Sequence, residues 1–231
     1  MSTIALIGLD GAGKTTITQR LLADLPGPTV RIYMGTSLMS ANVTLPTARL
    51  ILWWKRRSYR KAAGDQALPP EPVYNRQLEQ QPGERGVLGL VARTLHRLAE
   101  EWYRQLVVWS YELRGYTVLF DRHFVYEYAE QNQPEARRGL AWPDRFHLWC
   151  LNHLYPQPGL VIFLDAPPAM LLERKQEGLS LAELQAFREA MLAQGKGSPH
   201  FVRVDASQPL EVVYATVRGR VEAFLSSKGR S

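Results

Sequence analysis

Cysteine is almost absent from these 231 residues: Cys150 stands alone, so no internal disulfide can form and a reducing cytoplasm is the expected setting. No apolar run approaches the ~20 residues that a helix needs to cross a bilayer, so the sequence predicts no membrane span. No charged n-region, apolar h-region and cleavage site precede the first strand, and no signal peptide is expected. Internal repeats are lacking too. Negative charge is in short supply: 22 Asp and Glu against 28 Lys and Arg leave a net charge of +6. That balance favours anionic partners, but a nucleotide-binding enzyme satisfies it without nucleic acid. Six Trp, ten Tyr and seven Phe point instead to a well-filled core or to stacking surfaces.

What is present is organised around Gly8-Leu9-Asp10-Gly11-Ala12-Gly13-Lys14-Thr15-Thr16. It follows the apolar run Ile4-Ala5-Leu6-Ile7, a buried parallel strand by its pattern, and precedes Ile17, Leu21, Leu22 and Leu25, spaced for one helix face. This is G-x-x-x-x-G-K-[ST] in its strand–loop–helix setting, a phosphate-binding P-loop. Its glycines let backbone N–H groups point inward as an anion nest at the helix's positive end. Lys14 can reach the β- and γ-phosphates, and the Thr15 hydroxyl can join a Mg²⁺ shell. The sequence predicts a protein that binds a nucleoside triphosphate.

Further strands are expected at Thr29–Met34, Tyr116–Phe120, Leu160–Leu164 and Phe201–Val204. The third delivers Asp121-Arg122-His123 at its carboxyl end, where ligands sit in open parallel sheets. Between them the sequence predicts helices near 45–63, 87–113, 124–133, 142–154, 180–193 and from about Pro209. In the 87–113 helix, Leu88, Val91, Leu95, Leu98, Trp102, Leu106, Trp109 and Leu113 recur at steps of three and four and read as the core face. Arg93, Arg97, Glu100, Glu101 and Arg104 read as the polar face. Strands alternating with helices predict a doubly wound α/β domain over 1–231, with a five-stranded parallel sheet, helices on both faces and a helical lid at about 174–182. A helical acceptor-side region is expected at 36–115, with an irregular insertion at about 64–86 containing Pro69, Pro70, Pro72 and Pro82. The basic cluster Lys55–Lys61, just after Trp53 and Trp54, reads as a solvated helix end rather than a nucleic-acid site.

Four stretches resemble the thymidylate kinases, within the P-loop nucleoside monophosphate kinases: Ile4–Thr16, Gly115–His123, Pro158–Arg174 and Val204–Glu211. The resemblance implies ATP as phosphate donor, Mg²⁺, a nucleoside monophosphate acceptor (thymidylate first), and a homodimer. It implies that Gly8, Asp10, Gly11, Ala12, Gly13, Lys14, Thr15 and Thr16 hold the donor phosphates and that Ala206 lies in the adenine-contacting turn. By the same likeness Thr15 and Asp121 serve the metal, and Arg122 binds the acceptor phosphate with Arg49 as a second arginine. Asp10 would contact either the acceptor's sugar hydroxyl or a lid arginine, Gln131 would contact the acceptor base, and Arg174, with Lys175, would arrive with the lid. Where the family has Arg-Glu-Pro-Gly-Gly after its second strand, this chain has Tyr33-Met34-Gly35-Thr36. The acceptor therefore stays open at this point. A kinase for another nucleotide, a nucleoside, or a phosphorylated sugar or lipid head group is one alternative. A non-catalytic nucleotide-binding module is another.

Overall fold

The apolar runs pair edge to edge in the computed structural model, which describes residues 2–37, 40–50, 53–54, 57, 86–174, 180–196 and 198–228. Five strands, β1 (Thr3–Ile7), β2 (Thr29–Tyr33), β3 (Thr117–Asp121), β4 (Leu160–Asp165) and β5 (Phe201–Asp205), form one sheet in the order β2-β3-β1-β4-β5. Every pairing is parallel. Parallel strands need crossovers, and the helices that supply them cover the faces. On one face α1 (Lys14–Asp24) and α8 (Leu210–Lys228) pack Ile17, Leu21, Val213, Val217 and Val221 against Ile4, Leu6, Leu119, Ile162 and Leu164. On the other, α2 (Val87–Glu112), α3 (Phe124–Glu127), α5 (Trp142–His153) and α7 (Leu181–Gly195) contribute Val108, Phe124, Leu148, Leu151 and Met191 against Ala5, Ile7, Phe120, Val161 and Phe163. Two further short helices are α4 (Pro134–Gly139) and α6 (Pro168–Arg174). β1 and β4 are buried throughout, which is why both read as unbroken apolar runs.

Several expectations need correction. The expected 124–133 helix is the single turn α3 followed by turns, with Pro134 then opening α4 at its first position. On α8, Val212 is exposed and Tyr214 takes its place in the core. The expected helix over 45–63 is seen at 46–50, while most of its remainder, the insertion and the lid's 175–179 lie outside the described residues.

The largest correction concerns α2. Leu88 and Leu113 are 87% and 85% exposed, and Leu95 and Leu106 are exposed as well. Buried instead are Thr94, Glu100, Glu101, Arg104, Gln105 and Val108. Glu100, Glu101 and Arg104 have partners, whereas the Thr94 hydroxyl has none among the described residues. Arg104 donates from Nη1 to the Gly35 carbonyl at 2.8 Å and from Nη2 to Glu100 Oε1 at 3.4 Å, and its guanidinium lies over the Phe124 ring. Glu100 Oε2 accepts from the Leu45 amide at 2.8 Å, and Glu101 binds His147 Nε2 at 2.8 Å. One buried i,i+4 ion pair thus grips both ends of the 35–45 loop that follows β2. Removing one member strands the other charge, so Arg104→Met should cost about 3–5 kcal/mol. Pairing it with Glu100→Gln, which still accepts from Leu45, should recover part of that loss. Urea unfolding of the four proteins of this cycle checks it: purely additive losses would mean that the pair is not coupled.

His123 is almost fully buried among Phe120, Phe124 and Tyr126, and neither ring nitrogen has a hydrogen-bond partner among the described residues. Desolvation pushes its pKa down to about 3 from its ordinary 6.5. Between those values the unfolded chain binds a proton that the folded chain refuses, so stability falls as pH drops below 6.5. By pH 4.5 the loss should be on the order of 3 kcal/mol. His123→Phe should flatten this dependence, measured as melting temperature against pH. Parallel curves for the two proteins would place the acid sensitivity elsewhere.

Candidate phosphate site at the carboxyl edge of the sheet

β1, β3 and β4 are neighbours, so the loop after β1 opens beside the carboxyl ends of β3 and β4. Gly8 begins that loop at φ 147, and a Cβ there would lie 2.6 Å from the Leu164 carbonyl, so the close approach of loop to β4 requires glycine. Gly11 and Gly13 also have positive φ, and Gly13 leads directly into α1. No side chain caps α1 and no acidic residue lies in its first turn. Its leading N–H groups are therefore directed at the loop's concavity, the arrangement that suits an anion. Ala12 is buried under the loop, its amide bonded to the Leu9 carbonyl at 3.2 Å, while Thr15 and Thr16 face outward.

Lys14 is buried and points into the loop, donating to the carbonyls of Gly8 at 2.9 Å and Leu9 at 2.7 Å, with Asp10 Oδ1 at 3.4 Å. Desolvation, helped by the Arg122 charge, pushes its pKa down to about 8. The β3 end supplies the facing groups. Asp121 Oδ2 accepts from Arg31 at 2.7 Å and lies 3.5 Å from the Thr15 hydroxyl. Arg122 follows in the left-handed region at φ 70, alone among the described non-glycine residues. Such a backbone is costly for arginine and recurs where function dictates side-chain direction.

That backbone aims Arg122 back across the P-loop. Its Nη2 donates to Asp10 Oδ1, the oxygen that Lys14 also approaches, and its Nη1 donates to Glu127 Oε1 at 2.9 Å. Burial works against the guanidinium charge, but Glu127 and Asp10 outweigh it and hold the pKa above arginine's ordinary range. Thr36 donates to the other Glu127 oxygen at 3.3 Å. Gly35 is packed so closely that a Cβ would meet Tyr33 Oη at 2.6 Å and Arg122 Cδ at 2.8 Å. Strand ends β1, β2 and β3 thus converge on one cluster of three cations, Lys14, Arg31 and Arg122, and three carboxylates, Asp10, Asp121 and Glu127.

Of the residues singled out in the sequence, Gly8, Asp10, Gly11, Gly13, Lys14, Thr15, Asp121 and Arg122 come together here. Ala206 is buried in the turn after β5 and donates its amide to the Asp165 carbonyl at 2.8 Å. Arg49 is exposed and its Nε donates to the Thr44 hydroxyl at 3.2 Å. Gln131 is exposed in the turn after α3. Arg174 ends α6. Sequence reasoning missed Arg31, Thr36 and Glu127. Arg31 sits inside a strand, where a lone cation carries no motif. Glu127 had one available signal, a carboxylate one helical turn after Asp-Arg-His.

The sheet order, the glycine cradle and Lys14 decide the architecture. This is a P-loop NTPase fold. No family model matches the chain. A probable thymidylate kinase from Archaeoglobus fulgidus is 36% identical over 124 residues, which is 51% of this chain and 59% of that protein. The chain thus spans about three-fifths of the curated relative it matches. Among the described residues no helix is long and apolar enough to cross a membrane.

Proposed function

We propose that this protein is a kinase that transfers the γ-phosphoryl group of ATP to a nucleoside monophosphate, with thymidylate the first acceptor to test. One observation carries the reading: Lys14 and Arg122 both approach the same Asp10 oxygen. A P-loop lysine thereby stands one carboxylate away from a second, half-buried cation at the end of the neighbouring strand. Two phosphates, one on each cation, would meet at that point. Phosphoryl transfer needs this positioning and positive charge more than it needs covalent chemistry. Lys14 and the α1 amides hold the donor phosphates, and Arg122 holds the acceptor phosphate once it leaves its carboxylates. Thr15 and Asp121 fit Mg²⁺, which accepts few protein ligands and completes its shell with water and phosphate. The ion neutralises donor charge when bound. Similarity to the Archaeoglobus protein supports thymidylate among acceptors.

Arg174 with the lid, Arg49, Gln131 and Ala206 belong to the proposal in the roles that the family resemblance implies. So does a homodimer across α2, whose Leu88, Leu95, Leu106 and Leu113 are exposed along one side. A second reading rests on Glu127: its carboxylate beside Arg122 resembles a base for an acceptor hydroxyl, which would make the substrate unphosphorylated. Incubation with ATP·Mg²⁺ and a panel of nucleoside monophosphates and matching nucleosides tests both. ADP formed only with a monophosphate is the expected outcome; ADP formed equally with nucleosides selects the second reading; none with any acceptor rejects both.

A further inference from the structure

On the side of α5 turned away from the sheet, a cavity of about 650 Å³ is lined by Pro134, Arg137, Arg138, Arg145, Phe146 and Trp149. None of these residues belongs to the P-loop, to the β3 end or to the loop after β2. The buried side of α5 carries Pro143, His147, Leu148 and Leu151, so Arg145, Phe146 and Trp149 are left for solvent.

The charges here are unbalanced. None of Arg137, Arg138 and Arg145 is paired with a carboxylate among the described residues. The acidic residue of α5's first turn, Asp144, turns instead to α2, 3.4 Å from Arg93 and 3.7 Å from Arg97. Glu135, in the first turn of α4, does not line the cavity. Beside the arginines the rings of Phe146 and Trp149 lie nearly parallel, 6.2 Å apart at 17°, and Trp149 continues onto His153 at 5.2 Å and 19°. Phe146 and Trp149 are 46% and 44% exposed.

We propose that this cavity is a second nucleotide site, which takes a free nucleoside di- or triphosphate. Unpaired guanidiniums grip phosphate oxygens through parallel charge-assisted hydrogen bonds, and half-exposed flat rings accept the face of a base. The volume falls in the range of about 300–1,000 Å³ occupied by single ligands. Three arginines converging on one cavity suit one polyphosphate, whereas a nucleic-acid strand needs a groove that tracks several nucleotides.

Photolabelling of the full chain with 8-azido-ATP, followed by peptide mapping, tests the site without reference to catalysis. Label is expected in the 134–153 segment as well as near the P-loop, and excess ATP should protect both. Combined Arg137→Ala, Arg138→Ala and Arg145→Ala should cut the 134–153 label at least about tenfold and spare the P-loop label, which also reports that the fold is kept. Trp149→Phe should separately reduce the ATP-dependent quenching of tryptophan fluorescence. Absence of label in 134–153, label indifferent to the arginines, or protection by a short oligodeoxythymidylate but not by ATP would each overturn the proposal. Label confined to the P-loop would leave the kinase reading standing.

Discussion

Lys14→Ala abolishes phosphoryl transfer while the circular dichroism spectrum stays that of the parent. This result is expected because the ammonium's hydrogen bonds go to the P-loop's own carbonyls and Asp10, and Lys14 is not a member of the apolar core clusters. Removing it relieves a buried charge rather than opening the core, so the fold survives, while donor phosphates lose the cation that faces them. Lys14→Arg should fail as well, since a planar fork cannot replace a compact point charge inside so tight a loop. The pKa of about 8 adds a pH signature. Free protein above that pH carries a neutral Lys14, so triphosphate binding there must draw in a proton, and affinity should decline as pH rises from 7 to 9. Calorimetry in buffers of different ionisation enthalpy reads that proton directly. For stability the sign is opposite: between about 8 and 10.5 the unfolded chain holds the extra proton, so this group favours folding increasingly as pH rises. Parent-level turnover by Lys14→Ala would remove the P-loop from the mechanism.

Much of this was legible in the sequence for a physical reason. The strands of a doubly covered parallel sheet are apolar on both sides, so Leu160–Asp165 declares itself without periodicity. The P-loop is a local object, built from consecutive backbone amides, and its glycines and lysine appear in order in the chain. The face of α2 was not legible. A period of three and four establishes that a helix has two faces, but the elements packed on it decide which is covered. Here Gly35, Leu45, His147 and Phe124, all distant in sequence, satisfy Glu100, Glu101 and Arg104 and make a polar face buriable. The Arg122 cluster lies between these extremes. The Asp-Arg-His motif located the arginine, but its grip on Asp10 and Glu127 depends on a left-handed backbone that an arginine codon does not announce.

Arg122→Ala should raise the KM for a monophosphate acceptor by about thirtyfold or more and lower turnover, while ATP affinity changes little. A dianionic phosphate can take over the two guanidinium edges now held by Asp10 and Glu127, with parallel charge-assisted hydrogen bonds. Losing such a paired charge costs about 2–5 kcal/mol, and at about 1.4 kcal/mol per decade the lower end of that range is about thirtyfold. Arg122→Lys should rescue only in part, because an ammonium cannot form the bidentate pair. Two carboxylates compete with the incoming phosphate, so Glu127→Gln should ease the release of Arg122 and lower the acceptor KM if the substrate carries a phosphate. The same change should instead abolish turnover if Glu127 is the base for an acceptor hydroxyl. Initial rates for parent, Arg122→Ala, Arg122→Lys and Glu127→Gln against one monophosphate and its nucleoside decide between these readings. An unchanged acceptor KM in Arg122→Ala, with Glu127→Gln inactive, would replace the monophosphate kinase with a hydroxyl kinase built on the same P-loop.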